Sequence, residues 1–140
     1  MDANLTDEEK LEHLKKWWSE NGGSIVTGVV LGLAVLFGTR AWFSYQERNA
    51  QTASNLYTVL MSAMESGDAA AVGQKTGVLV ADYHGTPYAP LGALALAKEK
   101  MEAGELPAAQ AQLEWVLENS QSDILRETAR LRLARVLIAL

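Results

Sequence analysis

The sequence predicts an all-α protein with one N-terminal transmembrane helix followed by a domain of short, paired helices. Residues 22–39 read GGSIVTGVVLGLAVLFGT and carry no charged side chain, although 21% of the whole chain is charged. The remaining sequence is rich in Ala, Leu, Glu and Gln, which favour helices, and short Gly- and Pro-containing turns interrupt it. These observations divide the chain into segments 1–20, 21–45 and 46–140.

Residues 1–20 are predicted to form a cytoplasmic amphipathic segment. Thr6 begins a capping box in the sequence TDEE, which is a start signal for a helix. Leu11, Leu14 and Trp18 then fall on one helical face. We expect this helix to lie near the membrane surface, before the span begins at the ENGG sequence.

Residues 21–45 are predicted to form a membrane anchor. From Trp18 to Trp42 an α-helix is about 36 Å long, which is enough to cross about 30 Å of hydrocarbon. Aromatic rings, which settle at membrane–water interfaces, occur at both ends of the segment. They belong to Trp17, Trp18, Trp42, Phe43 and Tyr45.

Two other interpretations of this apolar segment are weaker. A cleaved signal peptide has a short apolar region followed by small residues, whereas TRAWFSYQ, with Arg40 and bulky rings, follows here. A buried helix of a soluble protein has no need of aromatic ends, and the five glycines of the segment would weaken it. The sequence therefore favours a permanent anchor.

The anchor carries small residues at four-residue spacing. Ser24, Gly28 and Gly32 lie on one face, and the two glycines form a G-x-x-x-G sequence. Small residues at this spacing let a second transmembrane helix approach closely, so this face is a candidate helix contact. The alternative is that glycine is simply frequent in membrane helices.

The bias of Lys and Arg around the span indicates its orientation. Lys10, Lys15 and Lys16 precede the span, and Arg40 and Arg48 follow it. Positive side chains favour the cytoplasmic side, and a long C-terminal domain is translocated largely regardless of charge. We therefore expect the N-terminus in the cytoplasm and the C-terminal domain on the other side of the membrane.

The C-terminal domain, 46–140, is predicted to contain five helical stretches separated by turns. The first continues from the anchor to the turn at 66–68. The others are a helix capped by Asp68, one begun by Thr86 and Pro87 and ended at Gly104, one begun by Pro107, and one capped by Ser122 or Asp123.

Small and large apolar residues of this domain recur in the order of a tetratricopeptide repeat. The pattern consists of Leu96, Ala97, Gly104, Ala109, Leu113 and Val116, and it begins again with Leu133, Ala134 and Leu137. The interval from Leu56 to Leu96 is 40 residues and the interval from Leu96 to Leu133 is 37. Since the ideal is about 34, we predict a degenerate tetratricopeptide-like domain.

This architecture favours a protein-binding module over an enzyme, because stacked helix pairs offer an extended surface. The chain has no cysteine, and its two histidines are His13 and His84, so thiol catalysis and cysteine-ligated metals are excluded. Residues 1–20 hold six acidic and three basic side chains, and residues 49–140 hold ten and seven. Neither segment has the basic field that nucleic acids require. We predict no catalytic residue, cofactor, metal, nucleic acid or small-molecule substrate.

The last helix carries an apolar stripe that nothing in the sequence is predicted to cover. Its residues are Leu125, Ala129, Leu133, Val136, Leu137 and Leu140. A terminal repeat is expected to have a polar outer face, and the chain stops at VLIAL. We therefore expect the natural sequence to continue beyond Leu140.

Two stretches, 15–46 and 88–140, resemble the bacterial YfgM family, and the similarity covers essentially the whole chain. The ENG sequence before the span and the LRLARV helix carry the resemblance most specifically. The resemblance implies a Gram-negative inner-membrane protein with a tetratricopeptide-like periplasmic domain. It also implies association with the SecYEG translocon and with the membrane-anchored periplasmic chaperone PpiD. It brings no catalytic residues.

Two functions therefore stay open at the level of sequence. The first is a membrane-anchored adaptor at the protein-export channel, which links newly translocated polypeptides to periplasmic chaperones. The second is an anchored scaffold for another process of the cell envelope, such as cytochrome maturation or division.

Overall fold

A computed structural model describes residues 7–140, which form five α-helices and no strand. The helices are α1 (Asp7–Ser66), α2 (Ala69–Asp82), α3 (Tyr88–Glu102), α4 (Leu106–Asn119) and α5 (Asp123–Ala139). The chain divides into two compact units between Tyr45 and Gln46. The first unit contains the apolar part of α1, and the second contains the end of α1 together with α2 to α5. The prediction of an all-α chain is confirmed.

The first unit is helical throughout its described residues, 7–45, so the segment before ENGG and the apolar span form one continuous helix. The side-chain amide of Asn21 donates a hydrogen bond to the backbone carbonyl of Trp17 at 3.1 Å. Gly22 lies against Trp18, where an added Cβ would stand 3.2 Å from the indole nitrogen. These local contacts offset the weak helix propensity of asparagine and glycine. Thr6, which begins the predicted capping box, lies outside the described residues.

The second unit contains two equivalent helix pairs, and a glycine at the same position of each pair marks the repeat. Gly67 and Gly104 follow the first helix of each pair and have positive φ angles of 73° and 78°. After each glycine, the next backbone N–H returns to the carbonyl five positions earlier, at 2.9 Å and 2.8 Å respectively. Glycine suits this helix end because it adopts the left-handed conformation without a Cβ penalty. The glycines stand 37 positions apart, so the predicted interval of 40 for the first repeat is wrong.

The second helices of the two pairs bury equivalent positions. Buried residues are Val72, Thr76 and Leu79 on α2 and Ala109, Leu113 and Val116 on α4, each of the second set 37 positions after its counterpart. On α3, Leu96 and Ala97 are also buried, so the predicted pattern of the central repeat is confirmed. The Thr76 hydroxyl donates to the carbonyl of Gly92 at 3.2 Å, which satisfies the buried polar group.

The helix caps agree with the sequence at two of three positions. Asp68 and Ser122 accept hydrogen bonds from the first turns of α2 and α5, as predicted. The predicted cap at Thr86 is wrong. Its hydroxyl donates instead to the carbonyl of Tyr83 at 2.8 Å, inside the preceding turn, and Pro87 occupies the N-cap position of α3.

The buried face of α5 differs from the predicted one. Ala129 and Val136 are fully buried in a cluster with residues of α3 and α4, so the expectation that Val136 would be uncovered is wrong. Ala134 and Leu137, which the repeat pattern placed inside, are exposed, and Leu140 is exposed as expected. Position 129 is equivalent to the buried Gly92 on α3, which is why a small residue occupies it.

Candidate binding surfaces

The apolar side chains of residues 7–45 are exposed in all directions. Val26, Leu31 and Leu36 point from different sides of α1 and are 53%, 61% and 65% exposed. By length and composition, α1 is long and apolar enough to cross a membrane. A helix that is apolar all round needs an apolar surrounding, since water solvates such a surface poorly. This part of α1 therefore fits a membrane anchor.

Two hydroxyls within the apolar segment are bonded to the backbone of their own helix. Thr27 donates to the carbonyl of Gly23 at 2.8 Å, and Thr39 donates to the carbonyl of Val35 at 2.9 Å. In hydrocarbon an unpaired hydroxyl has no water to bond, so such internal pairing removes a cost of insertion.

The predicted contact face of the anchor is open. Ser24, Gly28 and Gly32 follow one another at four-residue spacing on one side of α1, and all three are exposed. A Cβ added at either glycine would meet no atom within 4 Å. The backbone is therefore bare along this face, which is the geometry that allows close helix approach.

The predicted interface aromatics are exposed at the two ends of this segment. Their exposed fractions are 50% for Trp17, 55% for Trp18, 63% for Trp42, 67% for Phe43 and 66% for Tyr45. All these residues lie along one helix. The structure therefore does not bring the two aromatic ends together, and it does not bring either end next to the small-residue face.

In the second unit, aromatic rings connect the two first helices at a half-exposed surface. The rings of Tyr57 on α1 and Tyr88 on α3 lie 5.9 Å apart between centroids and are inclined by 42°. Both rings also pack on the buried cluster around Leu60 and Leu79. Tyrosines that are half buried and well packed are frequent anchors in protein interfaces.

Arg132 on α5 joins the end of the domain to α3. Its guanidinium donates to the backbone carbonyl of Leu94 at 3.2 Å, across 38 positions of sequence. No sequence pattern indicates this contact, because an arginine inside an amphipathic helix usually faces water. Together with the burial of Val136, it holds α5 against the preceding repeat.

Helix α5 also carries a second apolar stripe, which is not among the predicted residues. Ile124, Leu131 and Ile138 are 78%, 67% and 87% exposed. They follow one another at seven-residue spacing, which places them on one side of the helix, away from Val136. The seven-residue spacing of these three residues is the sequence signal that could have predicted the stripe.

The charged side chains of the domain form short local pairs. Lys100 lies 3.1 Å from a carboxylate oxygen of Glu105 and 3.6 Å from one of Glu99, next to the turn at Gly104. The hydrogen bond to Glu105 raises the pKa of Lys100, and partial desolvation opposes that rise. Among residues 7–140, no group of three His, Cys, Asp or Glu side chains could hold a metal ion.

Comparisons with a family model and with curated proteins agree on the family of this chain. Residues 15–140 match the family described as tetratricopeptide repeat-like domain. The ancillary SecYEG translocon subunit of Escherichia coli is 32% identical over 142 aligned positions, which cover 100% of this chain and 67% of the relative. The protein of the same name from Haemophilus influenzae is 31% identical over 136 positions, covering 97% of this chain and 66% of the relative.

The chain thus spans about two thirds of the length of these relatives. A third protein of the same name, from Aggregatibacter actinomycetemcomitans, is 29% identical over 97% of the chain. No solved structure gives a significant match. The matches extend over both the apolar helix and the repeats of this chain.

Proposed function

The chain belongs to the tetratricopeptide repeat-like family of ancillary SecYEG translocon subunits, and from that membership we propose that it is a non-enzymatic, membrane-anchored adaptor at the protein-export channel. One observation carries the proposal: nearly all of this chain aligns with translocon subunits, and the aligned part includes a helix whose apolar side chains are exposed on all sides. Such a helix has the surface of a lipid- or helix-embedded segment.

The three segments have separate roles in this proposal. Residues 1–20 form a cytoplasmic amphipathic segment, residues 21–45 cross the bacterial inner membrane, and residues 46–140 form a periplasmic domain. The three lysines before the span support this orientation, because basic residues are retained on the cytoplasmic side. The aromatic residues at both ends of the span fix its depth by lying at the two interfaces.

The proposed partners are the SecYEG translocon and the periplasmic chaperone PpiD. The bare face of Ser24, Gly28 and Gly32 supports a helix contact with the translocon within the membrane, because an added Cβ at either glycine meets no atom within 4 Å. The repeat domain supports the second role. Its half-exposed tyrosine pair and helical surfaces suit the binding of a newly translocated polypeptide or of the chaperone that receives it.

The orientation is tested by protease added to intact spheroplasts. We expect cleavage after about residue 46 and protection of the N-terminal segment, because only the C-terminal domain faces the protease. Protection of the C-terminal domain, with cleavage after membrane lysis, contradicts the proposed topology.

The partner in the membrane is tested by enlarging the bare face. Gly28→Leu and Gly32→Leu should each reduce copurification of SecYEG several-fold while insertion continues, because leucine is apolar but prevents close approach. Gly23→Leu is the matched control, since it adds the same side chain to another side of the helix, where an added Cβ also meets nothing.

Unchanged copurification in both variants would contradict the proposed contact. The two glycines would then reflect only the high glycine content of membrane helices. Copurification of cytochrome-maturation or division proteins in place of SecYEG would identify the protein as a scaffold for another envelope process.

A further inference from the structure

The exposed stripe on α5 has a covered counterpart on α3, the equivalent helix of the preceding repeat. The side of α3 in question packs in a hydrophobic cluster, and its residues are Leu94, Ala97 and Met101. The positions 37 residues later lie on α5, and their residues are Leu131, Ala134 and Ile138. All three are exposed. The same side of the repeat is therefore covered on α3 and open on α5.

The covered side of α3 shows what kind of element fits the stripe. Its cluster contains residues of both α4 and α5. Of these two helices, α4 follows α3 through a short turn at Gly104, packs on it and runs antiparallel to it. The repeat thus indicates that an antiparallel amphipathic helix is a suitable cover for this side of α5.

The apolar residues of α5 are arranged so that a second α5 is itself such a helix. Ile124 and Ile138 stand seven positions on either side of Leu131. When two copies of α5 lie antiparallel and meet at Leu131, each Ile124 comes level with Ile138 of the other copy. The same surface patch then serves both partners, which is the usual form of a two-fold symmetric dimer.

The charges beside the stripe favour this antiparallel arrangement. Glu127 and Arg135 stand four positions on either side of Leu131, and both are exposed. Antiparallel pairing brings each Glu127 level with Arg135 of the other copy, whereas parallel pairing brings like charges together. Arg126 and Arg130 each pair with an acidic side chain of their own helix. In the part of the chain that the structure describes, Arg135 forms no ion pair or hydrogen bond, so it is available to a partner.

We propose that α5 pairs with α5 of a second copy of this chain, antiparallel about Leu131, through Ile124, Leu131 and Ile138. Removal of these side chains from water drives the contact, and the charges beside them set its direction. A lipid surface is a poorer occupant, because Glu127 borders the stripe and a carboxylate is costly at an apolar boundary. The inference goes beyond the proposed function, since it assigns a self-contact to a surface that the adaptor role does not use.

Disulfide crosslinking tests the pairing and its register, because the chain has no cysteine of its own. Full-length single-cysteine variants are reconstituted in phosphatidylcholine liposomes and oxidised with copper phenanthroline. Leu131→Cys should form a covalent dimer. Ile124→Cys and Ile138→Cys should each form little dimer alone, because equal positions lie about 21 Å apart along an antiparallel pair, too far for a disulfide. Reconstituted together, these two variants should form a mixed dimer at least tenfold more abundant than either dimer alone.

Two further comparisons connect the crosslink to this surface. Gln74→Cys, at an exposed position of α2, is the matched control and should crosslink at least tenfold less than Leu131→Cys. In the Leu131→Cys protein, Glu127→Arg and Arg135→Glu should each reduce the crosslink several-fold, because each places like charges level with one another. The two reversals combined should restore it.

Absence of both the Leu131→Cys dimer and the mixed dimer overturns the proposal. Quenching of a fluorophore at position 131 by spin-labelled lipid would then identify the membrane surface as the occupant. Efficient dimer formation by Ile124→Cys alone overturns the antiparallel register, and equal crosslinking of Gln74→Cys overturns the assignment to α5. The liposomes contain no SecYEG, so failure of this experiment leaves the copurification test of the proposed function intact.

Discussion

Leucine has opposite surroundings in the two units of this chain. Leu31 and Leu36 in the first unit are 61% and 65% exposed, whereas Leu60, Leu79 and Leu113 in the second unit are completely buried. The domain buries these three leucines among its own helices. In the anchor, leucines of the same kind have most of their surface exposed. The difference shows that one residue type has two roles in this chain. Leucine forms the core of the second unit, and in the first unit it is available for contact with lipid or with another helix.

Glycine shows the same contrast. At Gly28 an added Cβ meets no atom within 4 Å, so the bare backbone is available to something outside the described chain. At Gly92 on α3 an added Cβ would lie 2.9 Å from Leu79 and 3.5 Å from Leu60. A side chain at position 92 would therefore press on the packed leucines of the domain, whereas one at position 28 would meet nothing within 4 Å.

The largest expected effect separates the two units by deleting a leucine side chain from each. Leu113→Ala should lower the free energy of unfolding of the domain by about 2–5 kcal/mol, because it leaves a cavity in a fully buried site. Leu36→Ala should leave domain unfolding unchanged. Denaturant titration of the full chain in micelles, followed by circular dichroism, measures both. Equal losses would mean that the anchor shares the core of the domain.

A smaller effect is expected from the glycine pair. Gly92→Ala should destabilise the domain by about 1 kcal/mol, because the overlap with Leu79 exceeds the gain in helix propensity. Gly28→Ala should not change the stability of the domain. The same titration measures both variants. A stabilised Gly92→Ala protein would show that the core has room for a methyl group, against the contact described here.

The smallest expected effect belongs to the surface of the domain. Glu105→Gln should lower the pKa of Lys100 toward its ordinary value, because it removes the hydrogen bond and the charge that raise it. In the parent protein this pair stabilises the fold at pH values below the ordinary lysine pKa of 10.5, and the contribution disappears as the pH rises through the raised pKa of the folded state. An NMR titration of the Lys100 side chain measures the shift. An unchanged pKa in the variant contradicts the assigned cause.

The sequence predicted local features of the domain better than its long-range ones. Asp68 and Ser122 were identified as caps because capping depends on a few neighbouring residues. Gly104 was identified as a helix end for the same reason. The buried residues Ala109, Leu113 and Val116 followed from helical spacing alone. In each case the determining contacts lie within one or two turns of helix.

The incorrect predictions involve contacts that the sequence pattern does not encode. Thr86 has the composition of a cap, yet its hydroxyl finds the carbonyl of Tyr83 within the turn. The register of α5 depends on its packing against α4 and on the bond from Arg132 to α3, so Val136 is buried and Leu137 is not.

The central claim is that the bare face of the anchor lies against the protein-export channel. Site-specific photocrosslinking in living cells tests it most directly, with benzoylphenylalanine placed beside that face at Leu31 and, as the control, on another side of the helix at Val30. Both positions are similarly exposed, at 61% and 59%. We predict a crosslink from position 31 to a SecYEG subunit and a much weaker one from position 30. Membrane insertion of both proteins without any crosslink to SecYEG, or with equal crosslinks from the two positions, would contradict the claim.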